Sequence, residues 1–173
     1  MNRTRLTTAA LMTTAAVAIT TLLGPGVALS APSGLDGVKA ATARYHSVGQ
    51  ALRNGYSGEN EPCVALPSGP AMGIHYVNKD LVDDPKLDPR QPEVLLYAPD
   101  KHGKLVLVAV EYLVSAADVP AGADRPSLLG QPFDGPMPGH APGMPVHYDL
   151  HVWVWSDNPA GVHAPFNPAL SCP

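Results

Sequence analysis

The chain has 173 residues and a formal net charge of −4 at neutral pH. This length is enough for one domain that buries a hydrophobic core, and it leaves little room for a second domain. The acidic balance argues against a nucleic-acid-binding protein, which needs a basic patch, and equally against a protein that binds anionic membranes.

The N-terminus has the pattern of an export signal. Arg3 and Arg5 give it a positive start, an apolar stretch diluted with threonine follows, and a small-x-small cleavage sequence ends at Ser30. The stretch is weaker than the run of about 20 strongly apolar residues that a membrane anchor needs. We therefore expect a signal peptide over 1–30 and a secreted, extracytoplasmic and soluble single domain over 31–173. Cleavage removes two arginines and no acid, so the net charge becomes −6.

Both cysteines of the chain, Cys63 and Cys172, lie in the predicted mature part. An even number of cysteines in an oxidising compartment is most simply explained by a disulfide. This bond would close a loop of roughly 110 residues and contribute about 4–5 kcal/mol in the loop-entropy model. The spacing does not fit a Cys-x-x-Cys redox motif.

Residues 36–53 have the periodicity of an amphipathic helix, which Asn54 and Gly55 would end. Apolar side chains recur there at intervals of three and four residues, namely at Val38, Ala41, Tyr45, Val48 and Leu52.

Four later segments have the composition of β-strands, namely residues 72–78, 94–98, 105–114 and 146–155. Turn residues join the second segment to the third, which predicts a β-hairpin. The third segment is apolar on both faces, so we expect it to be central and covered on both sides. Glu111 is its one charged residue. A buried carboxylate is costly unless it is paired or protonated, so we expect a partner for Glu111, a raised pKa, or both.

A helix followed by an antiparallel sheet is the α+β class. We expect the N-terminal amphipathic helix to pack on a curved antiparallel sheet of about four strands, in the manner of cystatin-like or NTF2-like rolls. A long connection rich in proline and glycine, residues 116–145, precedes the last strand and carries His140 near its end. Loops of this length in a compact domain are usually binding loops, lids or disordered segments.

The last predicted strand carries side chains that suit a binding surface. Alternation along a strand predicts a core face of Tyr148, Leu150, Val152 and Val154. The opposite face would carry His147, Asp149, His151, Trp153 and Trp155. A strand that only needed one solvated face would carry lysine, threonine or serine there.

The first hypothesis for this surface is a site for a metal ion, zinc or copper, because both ions accept imidazole and carboxylate ligands. The candidate ligands are His75, His147, Asp149 and His151. His147 and His151 would lie about 13 Å apart on a straight strand, so one ion would need ligands from other elements. Further donors are His46, His140 and Glu111. The alternative is a purely structural cluster in which these polar groups satisfy one another.

The second hypothesis is a pocket for a small ligand, with His75, Glu111, His140 and Trp153 as the candidate binding residues. An enzyme of the hydrolase or lyase type would use Glu111 and a histidine as an acid–base pair, and its candidate catalytic residues are Glu111 and His147. The sequence has no Ser-His-Asp motif, phosphate loop or metalloprotease pattern. Whether the protein is an enzyme therefore stays open at this point.

The third hypothesis is an extracellular interaction or structural module in which Trp153 and Trp155 anchor a partner. The two indoles would otherwise lie under the C-terminal tail, residues 158–172. The expected partners are a small molecule or a metal ion, without nucleic acid and without a membrane after signal cleavage. We expect a monomer.

Four segments resemble a family of uncharacterised exported actinobacterial proteins. They are residues 72–78 (MGIHYVN), 92–97 (PEVLLY), 110–112 (VEY) and the run 136–153, which begins PMPGH and ends VHYDLHVW. The resemblance covers most of the predicted mature chain and implies an exported single-domain protein. That family has no assigned activity, so the resemblance assigns no catalytic residues.

Overall fold

The fold is a layer of short helices on one face of an antiparallel sheet. The structure, a computed structural model, describes residues 34–67, 69–139 and 143–173. The predicted signal peptide, 1–30, lies outside the described residues, which all belong to one compact unit, Ala31–Pro173. Within these described ranges, no helix is both long and apolar enough to cross a bilayer.

The range predicted as one helix is divided into three. The pieces are α1 (Gly34–Thr42), a 3₁₀ helix (Ala43–His46) and α2 (Val48–Arg53). Ser47 is extended, with φ −94° and ψ 110°, and this break changes the direction in which the next turn faces. Val38 and Tyr45 are buried as predicted, but Ala51 replaces Leu52 as the buried residue of α2. The 3.6-residue period fails because the tighter 3₁₀ turn and the extended residue shift it.

The described strands, in chain order, are β1 (Tyr56–Ser57), β2 (Cys63–Ala65), β3 (Ala71–Asn78), β4 (Val94–Pro99), β5 (Leu105–Ser115), β6 (Ser127–Leu128), β7 (Gln131–Pro132), β8 (Asp134–Met137) and β9 (His147–Val152). A short helix, α3 (Lys79–Val82), follows β3, and a 3₁₀ turn (Ala116–Asp118) follows β5. The four predicted strands correspond to β3, β4, β5 and β9.

The main sheet has the order β1-β3-β4-β5-β9-β8, with β2 also paired to β3, and its pairs are antiparallel. The α+β class and the β4–β5 hairpin are therefore confirmed. The four strands that the sequence predicted are consecutive neighbours. The predicted long loop contributes the remaining edge strand β8 and the separate pair β6–β7.

Strand β5 lies between β4 and β9 and is buried along most of its length, as its two apolar faces predicted. The face that carries Tyr112 packs against the helices. On that face the Tyr97 hydroxyl donates a 2.6 Å hydrogen bond to the carbonyl of Tyr45, which joins the sheet to the helical layer. On the opposite face, an apolar patch around Leu96 and Val108 is covered by Trp153 and by Leu170 of the tail.

The alternation predicted over 146–155 holds only to Val152, where β9 ends. Trp153 stays on the face of Asp149 and His151, but it is buried and its indole N–H donates to the Ala164 carbonyl at 2.7 Å. Trp155 lies on the opposite face with the helices, and its indole N–H donates to Thr42 Oγ1 at 3.0 Å. The prediction that both indoles share one face is wrong. Side chains alternate between faces only where the backbone is extended, and β9 ends before the two tryptophans.

The disulfide Cys63–Cys172 is confirmed. It ties β2 to the end of the chain, and a two-way backbone bridge between Ala71 and Asn167 adds a second attachment of the tail to β3. The tail therefore serves as the cover over Trp153, which is the role that the structural alternative for the tryptophans required.

We predict that the double variant Cys63→Ser/Cys172→Ser is about 4–5 kcal/mol less stable than the wild type, because the bond constrains a loop of 109 residues in the unfolded chain. Urea unfolding of both proteins, with and without reductant, measures the difference. Reductant should destabilise the wild type and leave the double variant unchanged. Equal unfolding midpoints for the wild type and the double variant in the absence of reductant would contradict the prediction.

Candidate functional site

Three strands bring His75, Glu111 and His151 to one face of the sheet. Glu111 of β5 lies directly opposite His151 of β9. Across the other edge of β5, Glu111 pairs with Val94, which in turn pairs with Val77. His75 is two residues from Val77 on β3, so its side chain shares that face. These residues, separated in sequence, therefore meet because of the strand register.

The ligand atoms of His75, Glu111 and His151, here called the His–Glu–His cluster, all lie within 4.8 Å of one another. Oε2 of Glu111 lies 3.4 Å from Nε2 of His75 and 3.9 Å from Nε2 of His151. Glu111 and His151 are buried, while the His75 side chain is 12% exposed to solvent. The cluster is thus a buried floor with one partly accessible imidazole.

Two further predicted residues continue this row along β9. Oδ1 of Asp149 lies 4.0 Å from Nδ1 of His151, and Oδ2 lies 4.0 Å from Nε2 of His147. The other ring nitrogen of His147, Nδ1, lies 3.0 Å from the Pro145 carbonyl. His147 pairs with Ser115, four residues along β5 from Glu111, so it belongs to the row but not to the cluster.

Burial dominates the electrostatics of both carboxyl groups. The pKa of Glu111 is raised well above its usual value by burial first, then by Asp149 and Glu93. Burial, with Asp134 as the second cause, raises the pKa of Asp149 to about 6. Among the described residues, Glu111 Oε2 and Asp149 Oδ1 accept no hydrogen bond. An ionised Glu111 in this position therefore needs a positive charge close by.

An open cleft of about 1090 Å³ lies against the cluster, and His75 and Glu111 form part of its wall. Its apolar lining consists of Pro62, Val64, Val77, Val82, Val94, Leu113, Met144 and Pro145. Charged side chains also line it, namely Glu61, Lys79, Asp83 and Asp118. The combination of apolar walls and a few convergent polar groups is typical of small-molecule sites.

Two of the remaining candidates, Trp153 and His46, do not contribute to this geometry. His140 lies outside the described residues. Trp153 is buried under the tail and does not line the cleft, so the ligand-contact role predicted for it has no support in the structure. His46 is exposed and contacts the Trp155 ring, 4.3 Å between centroids, on the helical side of the sheet.

Glu93 is a buried acid that the sequence reasoning missed. It immediately precedes β4 and lies on the helical face, where its Oε2 accepts a 3.2 Å hydrogen bond from the Leu113 amide. Burial raises its pKa to about 7, which the two backbone hydrogen bonds oppose and the negative charges of Asp84 and Asp88 reinforce. Its position directly before an apolar strand was the feature of the sequence that could have indicated its burial.

Comparison with family models, with curated proteins and with solved structures finds no match to this chain. The resemblance to exported actinobacterial proteins therefore stays a prediction. The function has to be inferred from the chemistry of the cluster and the cleft.

We predict that the ionisation of Glu93 makes the folded protein less stable as the pH rises. Its folded pKa of about 7 exceeds its ordinary value of 4.5, so the folded state binds the extra proton and its advantage is lost between these two values. Glu93→Gln keeps an acceptor for the Leu113 amide without a charge. Between pH 5 and pH 8 the wild type should lose on the order of 2–3 kcal/mol more stability than this variant.

Urea unfolding at the two pH values measures this difference. The control is Glu61→Gln, since Glu61 is exposed, and this variant should follow the wild type. An identical pH dependence in Glu93→Gln and wild type would show that Glu93 titrates normally in the folded protein.

Proposed function

We propose that this protein binds a divalent transition-metal ion, zinc in the first place, through His75 Nε2, His151 Nε2 and Glu111 Oε2. The observation that carries the proposal is that one ligand atom from each of these residues, on three different strands, lies within 4.8 Å of the others. A cleft next to the cluster gives an ion and its ligands access from solvent.

The distances suit an ion of this class. Zinc–nitrogen distances of 2.0–2.1 Å in a tetrahedral site place neighbouring donor atoms roughly 3.3 Å apart. The two separations from Glu111 Oε2, 3.4 and 3.9 Å, need only small side-chain rotations to reach that spacing. Two imidazoles and a carboxylate leave a fourth position open, which is the donor set of catalytic rather than structural zinc sites. Copper accepts the same donors, whereas thiolate ligands are excluded because Cys63 and Cys172 form a disulfide.

The electrostatics favour an ion over a purely structural cluster. Buried polar groups in folded proteins are normally hydrogen-bonded, and a structural glutamate in a central strand should follow that rule. Among the described residues, Glu111 Oε2 accepts no hydrogen bond although it is buried. A bound cation supplies the compensation that an ionised carboxylate needs at this depth.

Asp149 fits a supporting role in this site. It faces Nδ1 of His151, the ring nitrogen that points away from the cluster, at 4.0 Å. Metal-bound histidines commonly donate their second N–H to a carboxylate, which fixes the tautomer and the orientation of the ring. We assign Asp149 as the residue that positions His151, and not as a ligand.

Metal analysis and calorimetric titration with zinc and with copper, on mature protein without a histidine tag, test the proposal. The wild type should bind one ion per chain. His75→Ala and Glu111→Gln should bind at least 100-fold more weakly, and Asp149→Asn 10- to 100-fold more weakly. His102→Ala is the matched control, because His102 lies exposed in the β4–β5 turn and should bind like the wild type.

Wild-type affinity in both His75→Ala and Glu111→Gln would refute the site. An activity that survives removal of metal ions but requires Glu111 would favour the acid–base alternative, since His75 and Glu111 line the cleft together.

The proposal includes export of the chain. The disulfide supports an oxidising compartment for the mature protein. Protein recovered from the medium of a secreting host should begin at Ala31, which N-terminal sequencing shows; a secreted product that begins at Met1 would contradict the predicted cleavage. The monomeric state and the comparison with cystatin-like or NTF2-like rolls stay predictions.

A further inference from the structure

We propose that the cleft holds a small organic monoanion with an apolar body, whose anionic head completes the coordination of the ion at the His–Glu–His cluster. This inference rests on the proposed metal site and names the class of molecule that the site takes. Three features of the cleft carry it, namely the direction of access, the apolar walls and the charges at the rim.

Access to the cluster is one-sided. His75 and Glu111 line the cleft, whereas His151 is 1% exposed and does not line it. Behind His151 lie Asp149 and His147, which are also buried. Within the described part of the chain, an ion held by the cluster therefore has its open coordination position towards the cleft.

The charge at the floor selects an anionic head. A divalent ion held by two neutral imidazoles and one carboxylate keeps a net charge of +1, and Glu111 is the carboxylate of the cluster. A monoanionic oxygen ligand neutralises that charge, and in a site lined by apolar groups the attraction is stronger than in water.

The walls next to the floor select an apolar body. Val77, Val94 and Leu113 belong to the same sheet face as Glu111, and Val64, Val82 and Met144 come from β2, from α3 and from the segment before β9. A cleft of about 1090 Å³ is slightly larger than the usual small-molecule pocket, so a body of several carbon atoms fits it.

The rim disfavours a second negative charge. It carries Glu61, Asp83 and Asp118 against one cation, Lys79, and the Lys79 ammonium is paired with Asp83 at 2.6 Å. Two carboxylates therefore remain uncompensated by a neighbour among the described lining residues. Like-charge juxtaposition weakens binding, so dianions and phosphorylated compounds fit less well than monoanions.

Calorimetric titration of the zinc-loaded mature protein with three matched hydroxamic acids tests the inference. Hexanohydroxamate should bind at least tenfold more tightly than acetohydroxamate, because it adds four methylenes and each fully buried methylene is worth about fourfold. Adipic acid monohydroxamate, which replaces the terminal methyl of hexanohydroxamate by a carboxylate, should bind several-fold more weakly than hexanohydroxamate at low salt. None of the three should bind the metal-free protein measurably.

Two wall variants locate the contact. Val64→Thr and Val82→Thr keep the side-chain shape. Both variants should bind hexanohydroxamate several-fold more weakly than the wild type and acetohydroxamate with unchanged affinity. The control is Val162→Thr, since Val162 is an exposed valine that does not line the cleft. Each variant is first assayed for zinc content, which should stay at one ion per chain.

The outcomes separate the two proposals. Stoichiometric zinc with equal affinities for acetohydroxamate and hexanohydroxamate would overturn the cleft inference and leave the metal site intact. Tighter binding of adipic acid monohydroxamate than of hexanohydroxamate would overturn the preference for a monoanion. A protein that binds no zinc or copper would overturn both proposals.

Discussion

The burial of the Glu111 carboxyl group in the central strand is the constraint on which the rest of the site depends. Strand β5 is buried along most of its length, so this carboxyl group is shielded from the solvent that would stabilise its charge, although it borders the cleft. The groups around it are ones that can interact with a buried carboxyl group. The imidazoles of His75 on β3 and His151 on β9 lie on either side, at 3.4 and 3.9 Å from Oε2. An apolar residue in place of Glu111 would make a better core, and this is why the proposed function centres on that acid.

The antiparallel register converts this local constraint into a site. Because side chains alternate along a strand, a slip of one residue between β5 and β9 would turn His151 away from Glu111 and into the core. The opposite face resists such a slip, since Tyr112 faces Leu150 there within the main apolar core. The core that packs on the helices therefore holds the cluster on the other side of the sheet in register.

Much of the fold followed from local pattern. The two apolar faces of 105–114 predicted a central strand, and the alternation over 147–152 placed His147, Asp149 and His151 on one face. Patterns of this kind end where the backbone leaves its regular geometry, which is why Trp155 and Leu52 were misplaced. The cluster itself depends on how the strands pair, and the periodicity of one strand carries no information on which of the candidate histidines lies across the sheet from Glu111. The cleft depends on β2, α3 and the segment before β9, short elements without a periodic signal.

The disulfide connects stability to the site. It anchors β2, and Val64 of β2 and the adjoining Pro62 form one wall of the cleft. A carboxylate that lacks hydrogen bonds lowers the stability of a small domain by several kcal/mol when it is ionised without a cation. A covalent bond that closes a loop of 109 residues contributes a stabilisation of similar size. The fold can therefore tolerate a costly buried acid in its central strand, and the same bond that provides this tolerance also shapes the approach to that acid.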